Sequence, residues 1–143
     1  MNRILRKLSL GDMPEIVRIE SRAFTDPWPA EAFTGLSEES SWILELGGIL
    51  IGYILYHFII DEAVILNFAI DPDYTGRGNG AYLLNNSMNE LAAKGCRKFF
   101  LDVRMSNAQA ISLYHKSGFT ELGIRKGYYK SPPEDALVMG RVL

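Results

Sequence analysis

The sequence predicts an α/β (α+β) fold: a mixed central sheet of about seven strands with helices on both faces, in the order βααβββαβαββ. Three observations carry it. Short runs rich in Ile, Val, Leu and aromatic residues are bounded by Gly, Pro and Asp, as strands are. Other segments repeat apolar residues every three or four positions, as helices do. In mid-chain a strand passes through a glycine-rich turn and a helix to another strand, and such a crossover joins parallel strands with a right hand.

In chain order, residues 4–8 have the short alternation of a first strand. Asp12 with Glu15 reads as a capping box and Pro14 suits a first turn, which predicts a helix over 13–24. Asp26-Pro27-Trp28-Pro29 breaks it, and a short second helix is expected over 30–36. Residues 42–46 and 49–59 read as strands joined at Gly47-Gly48, a hairpin signal, and 63–70 as the next strand, ended by Asp71-Pro72-Asp73. Leu84, Met88, Leu91 and Ala92 share one helical face that Gly95 closes. Residues 98–103 are a strand and 106–116 a helix stopped by Gly118. Residues 119–124 and 136–142 complete the sheet, around a loop holding Tyr128, Tyr129, Pro132 and Pro133.

At 143 residues the chain is read as one domain over 1–143. A chain of this size buries roughly 70% of its unfolded surface, so no disulfide or metal is required to hold a core, and no metal is expected. The net charge of −2 argues against nucleic acid as a partner, because binding it calls for a basic face. Cys96 is the sole cysteine, which excludes an intrachain disulfide and points to a reducing, cytoplasmic compartment. The most apolar stretch, 49–60, includes Gly52 and His57 and is too short to span a bilayer. Arg6, Lys7 and Ser9 break up the first ten residues, so no signal peptide is read there and no membrane partner is expected.

Tyr74-Thr75-Gly76-Arg77-Gly78-Asn79-Gly80 between a strand and a helix is an anion-binding arrangement. Glycines let backbone N–H groups turn toward a phosphate, and the helix N-terminus adds unpaired donors. A tight turn with no ligand is the plainer reading of the same residues. The Gly-x-x-x-x-Gly-Lys-Ser/Thr pattern of a nucleoside-triphosphate loop is absent. Gly76-x-Gly78-x-x-Ala81 matches a dinucleotide fingerprint only loosely, and too few residues follow it for the second half of a dinucleotide sheet.

Together with that turn, Asn67-Phe68-Ala69-Ile70-Asp71-Pro72-Asp73-Tyr74 and Leu101-Asp102-Val103-Arg104-x-Ser106-Asn107-x-x-Ala110-x-x-Leu113-Tyr114-x-x-x-Gly118-Phe119 resemble the GNAT acetyltransferase superfamily. Within it they are similar to the bacterial ribosomal-protein-alanine N-acetyltransferases. The resemblance implies acetyl-CoA as cosubstrate, the N-terminal segment of an acceptor protein as partner, and a ribosomal protein as that acceptor. It implies that strands 63–70 and 98–103 splay apart around a pantetheine arm, with backbone groups of Phe68, Ala69 and Ile70 beside it. Amides of Arg77, Gly78, Asn79, Gly80, Ala81 and Tyr82 would hold the pyrophosphate. Two positions depart from the family pattern: Thr75 stands where Arg or Gln is usual, and Asn79 replaces a common aliphatic residue.

Acetyl transfer to an amine requires a neutral nucleophile, stabilisation of the developing oxyanion and a proton for the leaving thiolate. An α-amine titrates at about 7.7–8.0 and lysine at about 10.4, so the former is the easier nucleophile. Asp102 ends an apolar strand and is the candidate base, directly or through a water; an outward-facing residue paired with Arg104 is the alternative. The family resemblance implies a catalytic Glu at that position, one methylene longer. Tyr114 matches the family's general acid and also lies on a core-facing helical stripe with Ala108 and Ile111. Asn107 matches a pantetheine contact or serves as a helix cap. A backbone N–H of Ala69 or Ile70 is the candidate for the oxyanion. Trp28, Phe33, Tyr128 and Tyr129 line an acceptor channel or plug the core; His57 reads as structural, His115 as exposed and Cys96 as inert. A GNAT enzyme acting on a small amine or a lysine side chain, and a coenzyme-A-binding module with little catalysis, are the competing readings.

Overall fold

Ten regular elements account for the chain, and the computed structural model describes residues 2–143. The strands are β1 (Arg3–Lys7), β2 (Ser41–Leu46), β3 (Ile49–Ile59), β4 (Glu62–Ile70), β5 (Lys98–Arg104), β6 (Thr120–Lys130) and β7 (Pro133–Val142). The helices are α1 (Met13–Ala23), α2 (Asn79–Ala93) and α3 (Ala108–Lys116). One sheet holds all the strands in the order β1-β2-β3-β4-β5-β7-β6. Only β4 and β5 run parallel, joined through α2; the other neighbours are antiparallel. The mixed sheet expected from the sequence is therefore present.

Each face of the sheet has its own core. Ile16 and Ile19 of α1 pack with Ile43, Tyr53, Leu55 and Ala69 on one side. On the other, Leu83, Leu84, Met88 and Leu91 of α2 and Tyr114 of α3 pack with Tyr56, Phe99, Leu101 and Met139. Helix α2 ends as its glycine predicts: Gly95 adopts a positive φ of 102° and the Cys96 N–H returns to the Leu91 carbonyl at 3.0 Å.

Four local expectations are corrected. Residues 30–36 do not form an α-helix; a 3₁₀ turn covers Ala30–Phe33 before Gly35 takes a positive φ of 78°. Asp12 stands at the N-cap position of α1, but its side chain makes no capping hydrogen bond to that helix. Arg6 grips both its oxygens at 2.7 and 2.8 Å, and its Oδ2 accepts the Ser9 N–H at 2.9 Å, closing the preceding 3₁₀ turn. The Arg6 hydrogen bond, against some burial, holds the Asp12 carboxyl below its ordinary value. Helix α3 starts at Ala108 rather than Ser106, because Asn107 caps it. Tyr128 and Tyr129 lie in strand β6, not in a loop; the connection to β7 is only Ser131-Pro132.

Gly52 in β3 marks where the sheet admits no side chain. A Cβ there would lie 2.5 Å from Ile70 Cδ1 and 3.0 Å from the Ala69 carbonyl oxygen. Replacing a strand glycine normally stabilises by about 0.4–1 kcal/mol through the unfolded chain. Overpacking costs about 1–3 kcal/mol and dominates here. Gly52→Ala is expected to lower urea stability by that net amount; an unchanged midpoint would contradict it.

Candidate active site

The parallel pair opens after three steps. Glu62, Ala63 and Val64 register with Lys98, Phe99 and Phe100, and no pairing follows. The cause lies in β4. Leu55 and Tyr56 of β3 face Asn67 and Ile65, which leaves Leu66 as an extra residue in the ladder. Such a bulge bends its strand and raises its twist. It also resets the alternation. Ala63 and Ile65 belong to the α2/α3 core, but beyond the bulge Phe68 and Ile70 join that core while Ala69 faces α1. The Asp71 N–H donates to Ile51 at 2.7 Å, so by antiparallel alternation Ala69 points its backbone groups at β3 and Phe68 and Ile70 point theirs into the opening. The Phe68 N–H is engaged by Asn67 Oδ1 at 2.9 Å. Of the two amides put forward for an oxyanion, only Ile70's faces the opening.

The glycine turn stands at the mouth of this opening. Gly76 and Gly78 have positive φ of 73° and 80°, the region glycine tolerates. Gly78 is the N-cap of α2. Gly80 lets the first turn of the helix approach β4 and α3: a Cβ there would already contact Leu113, Ile70 and Phe68 at 3.4–3.8 Å. Tyr82 leaves the expected amide set, because its N–H donates to the Gly78 carbonyl at 3.0 Å inside the helix. The unpaired first-turn donors run from Gly78 to Ala81. The Asn79 side chain is buried and does not point to a ligand; its Oδ1 accepts from Arg3 Nε at 2.8 Å and its Nδ2 donates to the Tyr74 carbonyl at 2.9 Å. Arg77 is exposed, with its guanidinium 5.9 Å from the Tyr74 ring centre. Thr75 Oγ1 donates to the Pro72 carbonyl at 3.2 Å.

Tyr114 and Asp102 approach the opening from opposite faces. Leu101 and Val103 lie in the α2/α3 core with Tyr114, so the intervening Asp102 points to the other side. The Tyr114 ring packs between Phe68 and Phe119, with centroids at 6.4 and 5.7 Å. Burial pushes its phenol well above the ordinary range. Every fully buried side-chain nitrogen or oxygen among the described residues has a hydrogen-bond partner. The Tyr114 hydroxyl has none, so although the residue is 7% exposed its oxygen keeps contact with solvent. Asp102 lines a cavity of about 200 Å³ with Val64, Phe100, Leu101, Arg125 and Val138. Its Oδ1 accepts from Arg125 Nε at 3.0 Å, and not from Arg104. Asn107 is the N-cap of α3, its Oδ1 accepting the Ala110 N–H at 3.1 Å.

Arg104, Glu20 and Arg125 shape the Asp102 face, and of these only Arg104 was expected there, as a partner of Asp102. Arg104 donates to the carbonyls of Ser131 and Pro132 at 3.0 and 2.9 Å and stacks 4.3 Å from the Tyr129 ring centre, fixing the β6–β7 turn. Burial, then the Asp102 carboxylate, pushes the Tyr129 phenol up to about 12. Glu20 of α1 is buried and accepts from Tyr53 Oη, from Asn67 Nδ2 at 2.8 Å and from the Trp28 N–H at 2.9 Å. It thereby ties the loop after α1 to the bulge of β4. The polar Glu20 and Asn67, at apolar-face positions, were the available signal; Arg125 offered none. Phe33 is a core plug, 3% exposed, while Trp28 is half-buried and Tyr128 exposed. His57 is exposed rather than structural, and His115 is exposed. Cys96 is buried, and burial pushes its thiol up.

A family model described as acetyltransferase (GNAT) family matches residues 13–119. The [ribosomal protein bS18]-alanine N-acetyltransferase of Escherichia coli (strain K12) is 37% identical over 139 residues, 94% of each chain. A putative enzyme of the same description from Bacillus subtilis (strain 168) is 36% identical over 139 residues, 94% of this chain and 92% of its own. The crystal structure of the ribosomal-protein-S18-alanine N-acetyltransferase from Escherichia coli superposes with a TM-score of 0.92 at 34% identity, covering 99% of this chain and 94% of that one.

Proposed function

The chain belongs to the GNAT acetyltransferase family and is an acetyl-CoA-dependent N-acetyltransferase, and on that footing we propose that it acetylates the N-terminal α-amine of a protein, the N-terminal alanine of ribosomal protein bS18. The observation that carries this reading is the opening between β4 and β5, approached from one face by Asp102 and from the other by Tyr114. The residues present fit the cosubstrate: unpaired amides at the start of α2 suit a pyrophosphate, and the edge of β4 at Phe68 and Ile70 suits the amides of a pantetheine arm. A cytoplasmic setting fits the single buried Cys96.

Acetyl-CoA supplies an acetyl group activated as a thioester. The chain's own residues do the rest. Amides from Gly78 to Ala81 orient the pyrophosphate, and Asn107 holds the arm through Nδ2, its Oδ1 being engaged in capping. The Ile70 N–H donates to the acetyl oxygen as charge develops there. Asp102 removes the amine proton. Its carboxylate is one methylene, roughly 1.5 Å, shorter than a glutamate, so it works through a bridging water on the oxygen that Arg125 leaves free. Tyr114 keeps its proton on a buried phenol and delivers it to the leaving sulfur. Tyr129 stands close to Asp102, and Trp28 packs against the α1 core on the same side of the sheet.

Thiol release from acetyl-CoA across a peptide panel tests the acceptor. Peptides with a free N-terminal alanine should turn over. Those with a blocked α-amine and free lysines should not, because at neutral pH an α-amine of pKa about 7.7–8.0 is far more often neutral than a lysine at about 10.4. Turnover of small amines alone would reject the reading.

A further inference from the structure

The turn that would carry the pyrophosphate does not hold its shape alone. It is clamped from the far edge of the sheet by Arg3 of β1, 76 positions away from Asn79. Arg3 Nε donates to Asn79 Oδ1 at 2.8 Å, and Arg3 Nη2 donates to the Arg77 carbonyl at 2.7 Å. Its guanidinium also lies 5.3 Å from the centre of the Tyr82 ring. One planar fork thus holds three successive parts of the turn: the residue before the N-cap, the first helical residue, and the ring one turn on.

Resting on the assignment of this turn to the pyrophosphate, we propose that Arg3 is a positioning residue for acetyl-CoA, aiming the Gly78 amide and supplying positive charge behind it. The aim follows from the peptide plane. In a trans peptide the carbonyl and the following N–H point opposite ways. With the Arg77 carbonyl fixed on Arg3, the Gly78 N–H is turned away from β1, outward from the clamp. Asn79 completes the device: buried, and bound also to the Tyr74 carbonyl, it transmits the grip to both ends of the turn. The charge of Arg3 acts separately from this aim. Arg3, like Arg77, Arg97 and Arg141, forms no ion pair among the described residues, whereas Arg6, Arg18, Arg22, Arg104 and Arg125 do. A cation left without a carboxylate beside a helix N-terminus favours an anionic ligand there.

The pair also accounts for the departure of Asn79 from the aliphatic residue usual in the family. An aliphatic side chain offers Arg3 no acceptor, so the two residues belong together.

The test compares two acetyl donors on the full chain: acetyl-CoA, and S-acetylpantetheine, which lacks the pyrophosphate. Coenzyme A binding is measured by calorimetry alongside. Arg3→Ala should raise the coenzyme A Kd and the acetyl-CoA KM about tenfold, the equivalent of ~1.4 kcal/mol, with kcat at saturation retained. Its kcat/KM with S-acetylpantetheine should match wild type. Arg3→Gln, which keeps the stem and one donor group, should fall between, and carries the comparison if the alanine variant fails to fold. Equal losses with both donors would reduce Arg3 to a general structural role and overturn the proposal. Unchanged acetyl-CoA kinetics would overturn it as well. Failure of the wild-type chain to bind coenzyme A would instead remove the underlying assignment of the turn, and is seen before any variant is compared.

Discussion

Tyr114→Phe is expected to lower kcat by roughly a hundredfold or more, the usual scale of a lost proton donor, while coenzyme A affinity and stability stay near wild type. The separation follows from the packing. The ring, held between Phe68 and Phe119, is the part that stabilises the core, and phenylalanine keeps it. The hydroxyl has no protein partner, so its removal leaves no buried group unsatisfied. The pH dependence carries a sign. Burial raises the phenol above its ordinary value of about 10, so the acid form persists as pH rises until that higher value is reached. Wild-type kcat should therefore show no alkaline fall from this group below about pH 10. If the variant turned over at the wild-type rate, Tyr114 would be a core residue and no more.

Asp102→Ala is expected to lower kcat by about a hundredfold with little change in acetyl-CoA affinity, and Asp102→Glu to retain or raise it. The competing account is that Asp102 exists to pair with Arg125. That pair is on the surface, with the two side chains 57% and 24% exposed, and such pairs contribute only about 0–1 kcal/mol of stability. A purely structural role would thus appear as a small loss of stability with kcat intact. The glutamate variant separates the two further, since the added methylene extends the carboxylate toward the amine by roughly 1.5 Å. Arg125 is drawn in as well: it occupies one Asp102 oxygen and lines the same cavity, so it limits how an acceptor amine reaches the base.

Elements with one covered face were legible in the sequence. Strand β5 alternates strictly between buried and half-buried residues, and α1 repeats Ile16, Ile19 and Glu20 on its core side, so their periods betray them. Strand β6 was read short because it lies at the sheet edge, nearly every residue exposed and the ladder shifted twice by bulges. Nothing in such a strand alternates. The bulge at Leu66 escaped for a related reason: one extra residue reverses the sides that follow without changing composition. In the site, the glycine turn was plain, and Asp102, Asn107 and Tyr114 were found through the family resemblance. Their partners were not. Asp102 was offered Arg104, its nearest cation along the strand, yet the β7–β6 pairing brings Arg125 instead. Arg3 and Asn79 join opposite parts of the sequence, a contact that only the sheet order creates.

On the proposed function, this chain places an acetyl group on a protein's N-terminal α-amine. Mass-spectrometric mapping of purified ribosomal protein bS18, with its N-terminal alanine free, after incubation with the chain and acetyl-CoA tests it most directly. The predicted result is a single acetyl group on the alanine α-nitrogen, and only a background level with Tyr114→Phe. Acetyl groups confined to lysine side chains, or an unmodified protein beside an enzyme that acetylates small amines, would contradict it.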